Sequence, residues 1–269
     1  MELNNYEGFQ LLNTDETPFY MFKNRGRIIV EKSKLSEATW KERDPKLRCT
    51  FMPTIQYSRV LGFRPCFVLN IKCTRWTIKP IKVEEKFVIH NGKECKLLRK
   101  TYDDFVVYCT QKSWINGPIF QWEMSRLSTF LKLKTPNTKY GLLLDNVPSH
   151  VSVKFPNLKL IFLPPNTTSR TQPLDLSVFG TLKNQYSSWL MRETLQNGPE
   201  GLNIEKCVRS MATIFKNLDV RSTNHGFSAT KLNKFQSEPT LETELSQEER
   251  IMNLIESFDR FECSDSDDE

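Results

Sequence analysis

The run Gly141-Leu142-Leu143-Leu144 is apolar at every position and stops at Asp145. A strand with one wet face alternates apolar and polar residues, whereas an unbroken apolar run of this length marks a strand buried on both faces. Lys159–Leu163 repeats the pattern after the twelve residues Asn146–Asn157. That gap is too long for a tight hairpin and suits a parallel crossover. Two doubly buried parallel strands need helices on both sides, so the chain is expected to be α/β.

The remaining elements follow from periodicity and punctuation. Phe9–Asn13 reads as a first strand ending at Asp15. Thr50–Tyr57 and Cys66–Ile71 read as two more, with Ser58–Pro65 as the turn between them, and Phe105–Cys109 as another. Residues 23–48 are charged and expected to be irregular, and residues 74–104 form an insert of mixed character. Asn116-Gly117-Pro118 opens a helix whose apolar face is Phe120, Met124, Leu127 and Leu131. Pro173 begins another, with Leu174, Val178, Leu182, Tyr186 and Trp189 as its stripe and Asn197-Gly198-Pro199 as its stop. A further helix is expected around Ile204–Leu218.

Charge divides the chain in two. Residues 237–269 hold twelve Asp or Glu against two Arg, so the other 236 residues hold 38 − 2 = 36 basic and 32 − 12 = 20 acidic side chains. A body at +16 points to a polyanionic partner, with nucleic acid first. Residues 1–236 are therefore read as one domain, and residues 237–269 as a flexible acidic tail with a short amphipathic stretch at Ile251–Phe261. Seven scattered cysteines include no C-x-x-C pair and, with three histidines, no zinc-ligand spacing. No signal-peptide layout or membrane-length apolar run is present, and an intracellular protein is expected.

Three carboxylates fall where an α/β sheet exposes its functional edge, at the carboxyl ends of strands. Asp15 follows the first strand, Asp145 ends the Gly141–Leu144 strand, and Asp175 lies in the first turn of the helix after Lys159–Leu163. Clustered carboxylates repel, and a hard divalent cation relieves that cost. Mg²⁺ is expected, with Mn²⁺ as substitute, and a two-ion site would serve phosphodiester cleavage. Each residue also has a plainer role. Asp15 suits a turn before Glu16-Thr17-Pro18, and Asp175 suits a helix start on electrostatic grounds alone.

The flanks are more specific. Leu142–His150 (LLLDNVPSH), Ile161–Asp175 (IFLPPNTTSRTQPLD) and Leu11–Tyr20 (LLNTDETPFY) resemble the DDE-1 superfamily endonuclease domain of pogo and Tigger transposases, jerky proteins and centromere protein B. The resemblance runs from about Phe9 to about Phe227. It implies an RNase H-like fold, a five-stranded mixed sheet with helices on both faces. It also implies a catalytic, metal-binding set of Asp15, Asp145 and Asp175 in a nuclear DNA endonuclease and strand-transfer enzyme. Asn146 and His150 would support the second carboxylate, and His150 equally suits a structural loop hydrogen bond. Asn166, Thr167 and Thr168 would meet phosphate or shape their loop, Gln172 would cap or pack, and Lys183 would meet phosphate or stay solvated. DNA is the implied partner, and a homodimer follows by analogy. Leu176-Ser177 departs from the family's usual Gln-Gly, and only eight residues precede Phe9, so base reading in a groove has no evident place in these 269 residues. The alternative reading is a domesticated or truncated, inactive DNA- or protein-binding protein.

Overall fold

The computed structural model describes residues 9–22, 47–58, 61–70, 76–90, 92–164 and 171–230. The acidic tail, its Ile251–Phe261 stretch, the domain limit at 236 and most of the segment 23–48 lie outside the described residues. The strands are β1 (Gln10–Thr14), β2 (Thr17–Tyr20), β3 (Arg48–Met52), β4 (Thr54–Gln56), β5 (Cys66–Asn70), β6 (Lys82–His90), β7 (Lys93–Thr101), β8 (Val106–Thr110), β9 (Tyr140–Leu144) and β10 (Leu158–Phe162). The helices are α1 (Gly117–Lys134), α2 (Phe179–Asn197), α3 (Ile204–Lys216) and α4 (Val220–Ala229), and a π-helical turn, Leu174–Val178, leads into α2.

The hydrogen-bonded order is β10-β9-β1-β4 in one set and β2-β3-β5-β8-β7-β6 in the other. β1 runs on into β2 and β3 into β4, so the two sets meet end to end at a break in the pairing. The antiparallel register passes from β1/β4 to β2/β3 without a shift, with Thr14 opposite Thr54 and Thr17 opposite Phe51. That register sets Asp15 opposite Pro53, which has no N–H to give the ladder, and the pairing breaks there. Thr14 Oγ1 donates to the Pro53 carbonyl at 2.7 Å across the break. With β1/β2 and β3/β4 each counted once, the central strands β10, β9, β1, β4 and β5 give the expected five-stranded mixed sheet of an RNase H-like fold. β8, β7 and β6 extend it, so the expected insert at 74–104 contains a long antiparallel hairpin.

Both faces are covered, as the unbroken apolar run requires. Leu12, Leu142, Leu144 and Leu158 pack against Phe120, Met124, Leu127 and Leu131 of α1. Leu11, Leu143 and Ile161 face the other way, toward Leu182, Tyr186 and Leu190 of α2, Val208 of α3 and Phe227 of α4. Each such leucine taken out of water contributes about 1.5–3 kcal/mol. Asn116 caps α1 by accepting from Ile119 N, as its sequence signal predicts. The α2 stripe differs at its end. Leu190 is fully buried and Trp189 only half-buried, because four residues, not three, complete the turn beyond Tyr186.

Helix α4 has no counterpart in the sequence reading. Its interior glycine explains both why it is hard to see and why it is needed. A Cβ on Gly226 would lie 2.4 Å from the Pro173 carbonyl oxygen, so only glycine lets α4 close on the start of the π turn. Ser177 secures the contact by donating from Oγ to the Ser222 carbonyl at 2.6 Å.

Candidate active site

Strand pairing sets the first two carboxylates level. β1 and β9 run parallel with Leu12 beside Leu142 and Asn13 beside Leu143, and the same offset continued brings Asp15 beside Asp145. The third arrives on the π turn, a helix irregularity that recurs at functional sites. Asp15 is buried, Asp145 partly buried and Asp175 exposed at the rim.

Their electrostatics show that the three share one field. Burial, followed by the charges of Glu16, Asp175 and Asp145, pushes the Asp15 carboxyl up to about 8, against one lowering contact from the Glu16 N–H. That N–H donates to Asp15 Oδ1 at 2.8 Å. Asp175 is raised by partial burial and by Asp145, while Lys183 pulls it down.

His150 organises the Asp145 side. It is 5% exposed, stacks on Phe120 at 4.4 Å between ring centroids, and sits between two carboxylates. Nε2 lies 3.0 Å from Glu16 Oε1, while Nδ1 lies 2.8 Å from Asp145 Oδ1 and 3.2 Å from the Asp145 carbonyl oxygen. Burial lowers the imidazole pKa, but Asp145 and Glu16 outweigh it and raise the group to about 10, so it is an imidazolium with both nitrogens donating. Asp145 Oδ1 is nonetheless buried with no well-aligned hydrogen bond among the described residues. Glu16, Asp145 and His150 hold their ligand-type atoms within 4.8 Å of one another.

The other expected residues divide. Gln172 is fully buried and accepts from Asn13 Nδ2 at 2.9 Å, which is a packing and hydrogen-bonding place rather than a cap. Lys183 Nζ lies 5.6 Å from the Phe179 ring and within electrostatic reach of Asp175. Asn146 is exposed and makes no side-chain hydrogen bond among the described residues. Asn166, Thr167 and Thr168 lie outside the described residues. Two contributors escaped the sequence reading. Glu16 stood out only as a neighbour of Asp15, and Asn13 was one polar residue in an apolar strand, which is itself the signal that could have found it.

The donor set fits a hard divalent cation. Asp145 Oδ1 is buried with no aligned donor, and burial, then the charges of Glu16, Asp175 and Asp145, raise the Asp15 carboxyl, a cost that a hard cation beside these oxygens would relieve.

Residues 85–227 match the DDE superfamily endonucleases, a span of just over half of the 269 residues. The chain belongs to that family. The matched span includes Asp145 and Asp175 and begins after Asp15. Among solved structures, this endonuclease-family chain is similar to the Mos1 transposase paired-end complex with left transposon end, at 12% identity and TM-score 0.47 over 84% of this chain. It is also similar to the Mos1 mariner paired end complex with Mn, at 14% identity and TM-score 0.40 over 83%. The chain spans 53% of the length of each. Among the described residues, no helix is long and apolar enough to cross a membrane.

Proposed function

We propose that this DDE-family domain is a Mg²⁺-dependent DNA endonuclease with strand-transfer chemistry, in which Asp15, Asp145 and Asp175 hold the metal. The observation that carries the reading is the parallel register of β1 and β9, which continued sets Asp15 beside Asp145 at the broken end of the central strand. Asp15 and Asp145 sit level after β1 and β9, Asp175 lies within electrostatic reach of Asp15 on the π turn, and a metal site would account for that placement.

Asp15 and Asp145 would hold the ion from the strand ends, and Asp175 would reach it from the rim. A divalent ion held there would supply Lewis acidity toward water and toward the departing oxygen. The chain's own contribution is orientation. The Glu16–His150 pair steers one Asp145 oxygen, leaving the carboxylate held on a rigid strand end. Lys183 keeps Asp175 nearer its charged form and offers positive charge where a phosphate would approach. DNA as substrate agrees with the basic body, 36 basic against 20 acidic side chains outside the tail (38 − 2 and 32 − 12). A nuclear location and a homodimer belong to the same proposal, by analogy with the transposases that the sequence resembles.

The test is nicking of supercoiled plasmid by the purified chain. Mg²⁺ or Mn²⁺ is expected to support nicking, EDTA to abolish it, and Asp145→Asn to remove it while the protein stays folded. Equal nicking by Asp145→Asn would detach cleavage from the aspartate site, and salt-sensitive DNA binding with no metal-dependent cleavage would replace the enzyme by a DNA-binding relative.

A further inference from the structure

One side chain touches all three elements that carry the aspartates. Asn13 is fully buried in β1, two residues before Asp15. Its Nδ2 donates to the Leu143 carbonyl at 3.1 Å, two residues before Asp145. Its Oδ1 accepts from the Leu174 N–H at 3.0 Å, one residue before Asp175. The second hydrogen of Nδ2 goes to Gln172 Oε1 at 2.9 Å.

Only one orientation of the amide satisfies these partners. Leu174 N is a donor and Leu143 O an acceptor, so a flipped amide would set donor against donor and acceptor against acceptor. The bond to Leu174 also fills a specific vacancy. The first N–H groups of a helix lack partners within it, and Pro173 at this helix start has no side-chain cap to offer. A residue of β1 therefore caps the helix from across the fold. The ladder already fixes β1 to β9, and the side chain of Asn13 adds hydrogen bonds that tie the π turn to both strands, beside the packing of Leu174 and Val178 with Leu11 and Leu143.

We infer that Asn13 is a positioning residue that sets the spacing of Asp15, Asp145 and Asp175, and that metal affinity depends on it although it touches no metal. Other side chains fail for stated reasons. Serine is too short to span both bonds, and aspartate would bring a buried charge against the oxygens of Leu143 and Gln172. The inference rests on the reading of the three aspartates as the metal-holding set.

The experiment measures Mn²⁺ binding to the full chain by electron paramagnetic resonance, with folding followed by circular dichroism. Wild type is expected to bind at a site lost in Asp145→Asn. Asn13→Ala is expected to bind about 10-fold or more weakly, the scale of losing a group that orients metal ligands. Gln172→Met keeps volume and removes one of the four hydrogen bonds that the Asn13 side chain makes, so a smaller loss is expected. Leu127→Val, a core change under α1 on the opposite face of the sheet, is expected to leave Mn²⁺ affinity unchanged. A folded Asn13→Ala with wild-type affinity overturns the inference and leaves the function standing. If Asn13→Ala does not fold, Gln172→Met decides, and wild-type affinity there overturns it. An equal loss in Leu127→Val shows that general stability is at work and overturns it too. A wild type whose Mn²⁺ binding is indifferent to Asp145→Asn removes the functional reading, and the inference falls with it.

Discussion

His150 holds Glu16 across 134 positions of sequence, its Nε2 3.0 Å from Glu16 Oε1 and its ring buried. The contact closes the break in the central strand onto the loop that follows β9. It also makes the pair a pH-sensitive brace. The folded pKa, about 10, lies above the ordinary 6.5, so the stability it contributes is fully present below about 6.5 and is lost as pH rises through about 10. In EDTA, the melting temperature is expected to fall across that window. Glu16→Gln removes the partner charge and should make the fall shallower. A wild-type melting temperature flat across this range would rule out a charged, buried His150.

Asp15 produces a second window with the same sign. Its carboxyl is raised from 3.8 to about 8, so the folded state favours the neutral acid. The associated stability is complete below about 3.8 and disappears as pH climbs to about 8. Metal-free protein should lose stability over that range, and Asp15→Asn should flatten the loss. Because a metal ligand must be deprotonated, Mn²⁺ should protect more strongly at the upper end of the window than at the lower. Thermal scans with and without Mn²⁺ measure both, and protection independent of pH would detach Asp15 from the metal.

What could be read in the sequence, and what could not, follows from the range of the interactions. β9 and β10 were legible because burial on both faces leaves an unbroken apolar run, and α1 because its face repeats with helical spacing and its cap is local. The hairpin β6–β7 was read only as a mixed insert. Ile81, Val83, Phe87 and Ile89 are exposed on one face, while the face that packs inward carries Leu97, Arg99 and Val88 among lysines and glutamates, so the apolar period marks the wrong face for a core-facing strand. The Asn91-Gly92 step between them was a usable hairpin signal that the charge pattern obscured. In the candidate site, the places of Asp15 and Asp145 after strands, and of Asp175 at a helix start, were legible from the sequence. Asn13 and Glu16 were not, because their partners Leu174 and His150 lie more than a hundred residues away.

Two glycines in helices should respond oppositely to alanine. At Gly226 a Cβ would strike the Pro173 carbonyl at 2.4 Å, and backbone cannot yield as a side-chain tip can. Gly226→Ala is expected to cost about 1–3 kcal/mol as overpacking. At Gly180, in α2, an added Cβ meets nothing within 4 Å. Gly180→Ala should stabilise by roughly 0.5–1 kcal/mol through helix propensity. Urea unfolding of both variants checks the pair. A neutral Gly226→Ala would mean that α4 does not close on the π turn as described.

Glu123 poses the sharpest stability question, since it is fully buried in α1 and still charged-partnered. Tyr108 donates to its Oε1 at 2.7 Å, and Arg126 reaches both oxygens from the next turn of the helix. Arg126 in turn lies 3.9 Å over the Phe63 ring and donates to the Arg64 carbonyl at 2.7 Å, so it cannot swing to water without losing those contacts. Removing the carboxylate strands a held cation, and Glu123→Ala is expected to cost about 3–5 kcal/mol. Tyr108→Phe deletes one hydrogen bond to a charged group and should cost about 1.5–3 kcal/mol. The two changes act on one shared contact, so the double variant should cost less than the sum of the singles. Urea titrations of the three proteins give that coupling directly. Strict additivity would mean that Tyr108 and Glu123 stabilise α1 on the sheet independently.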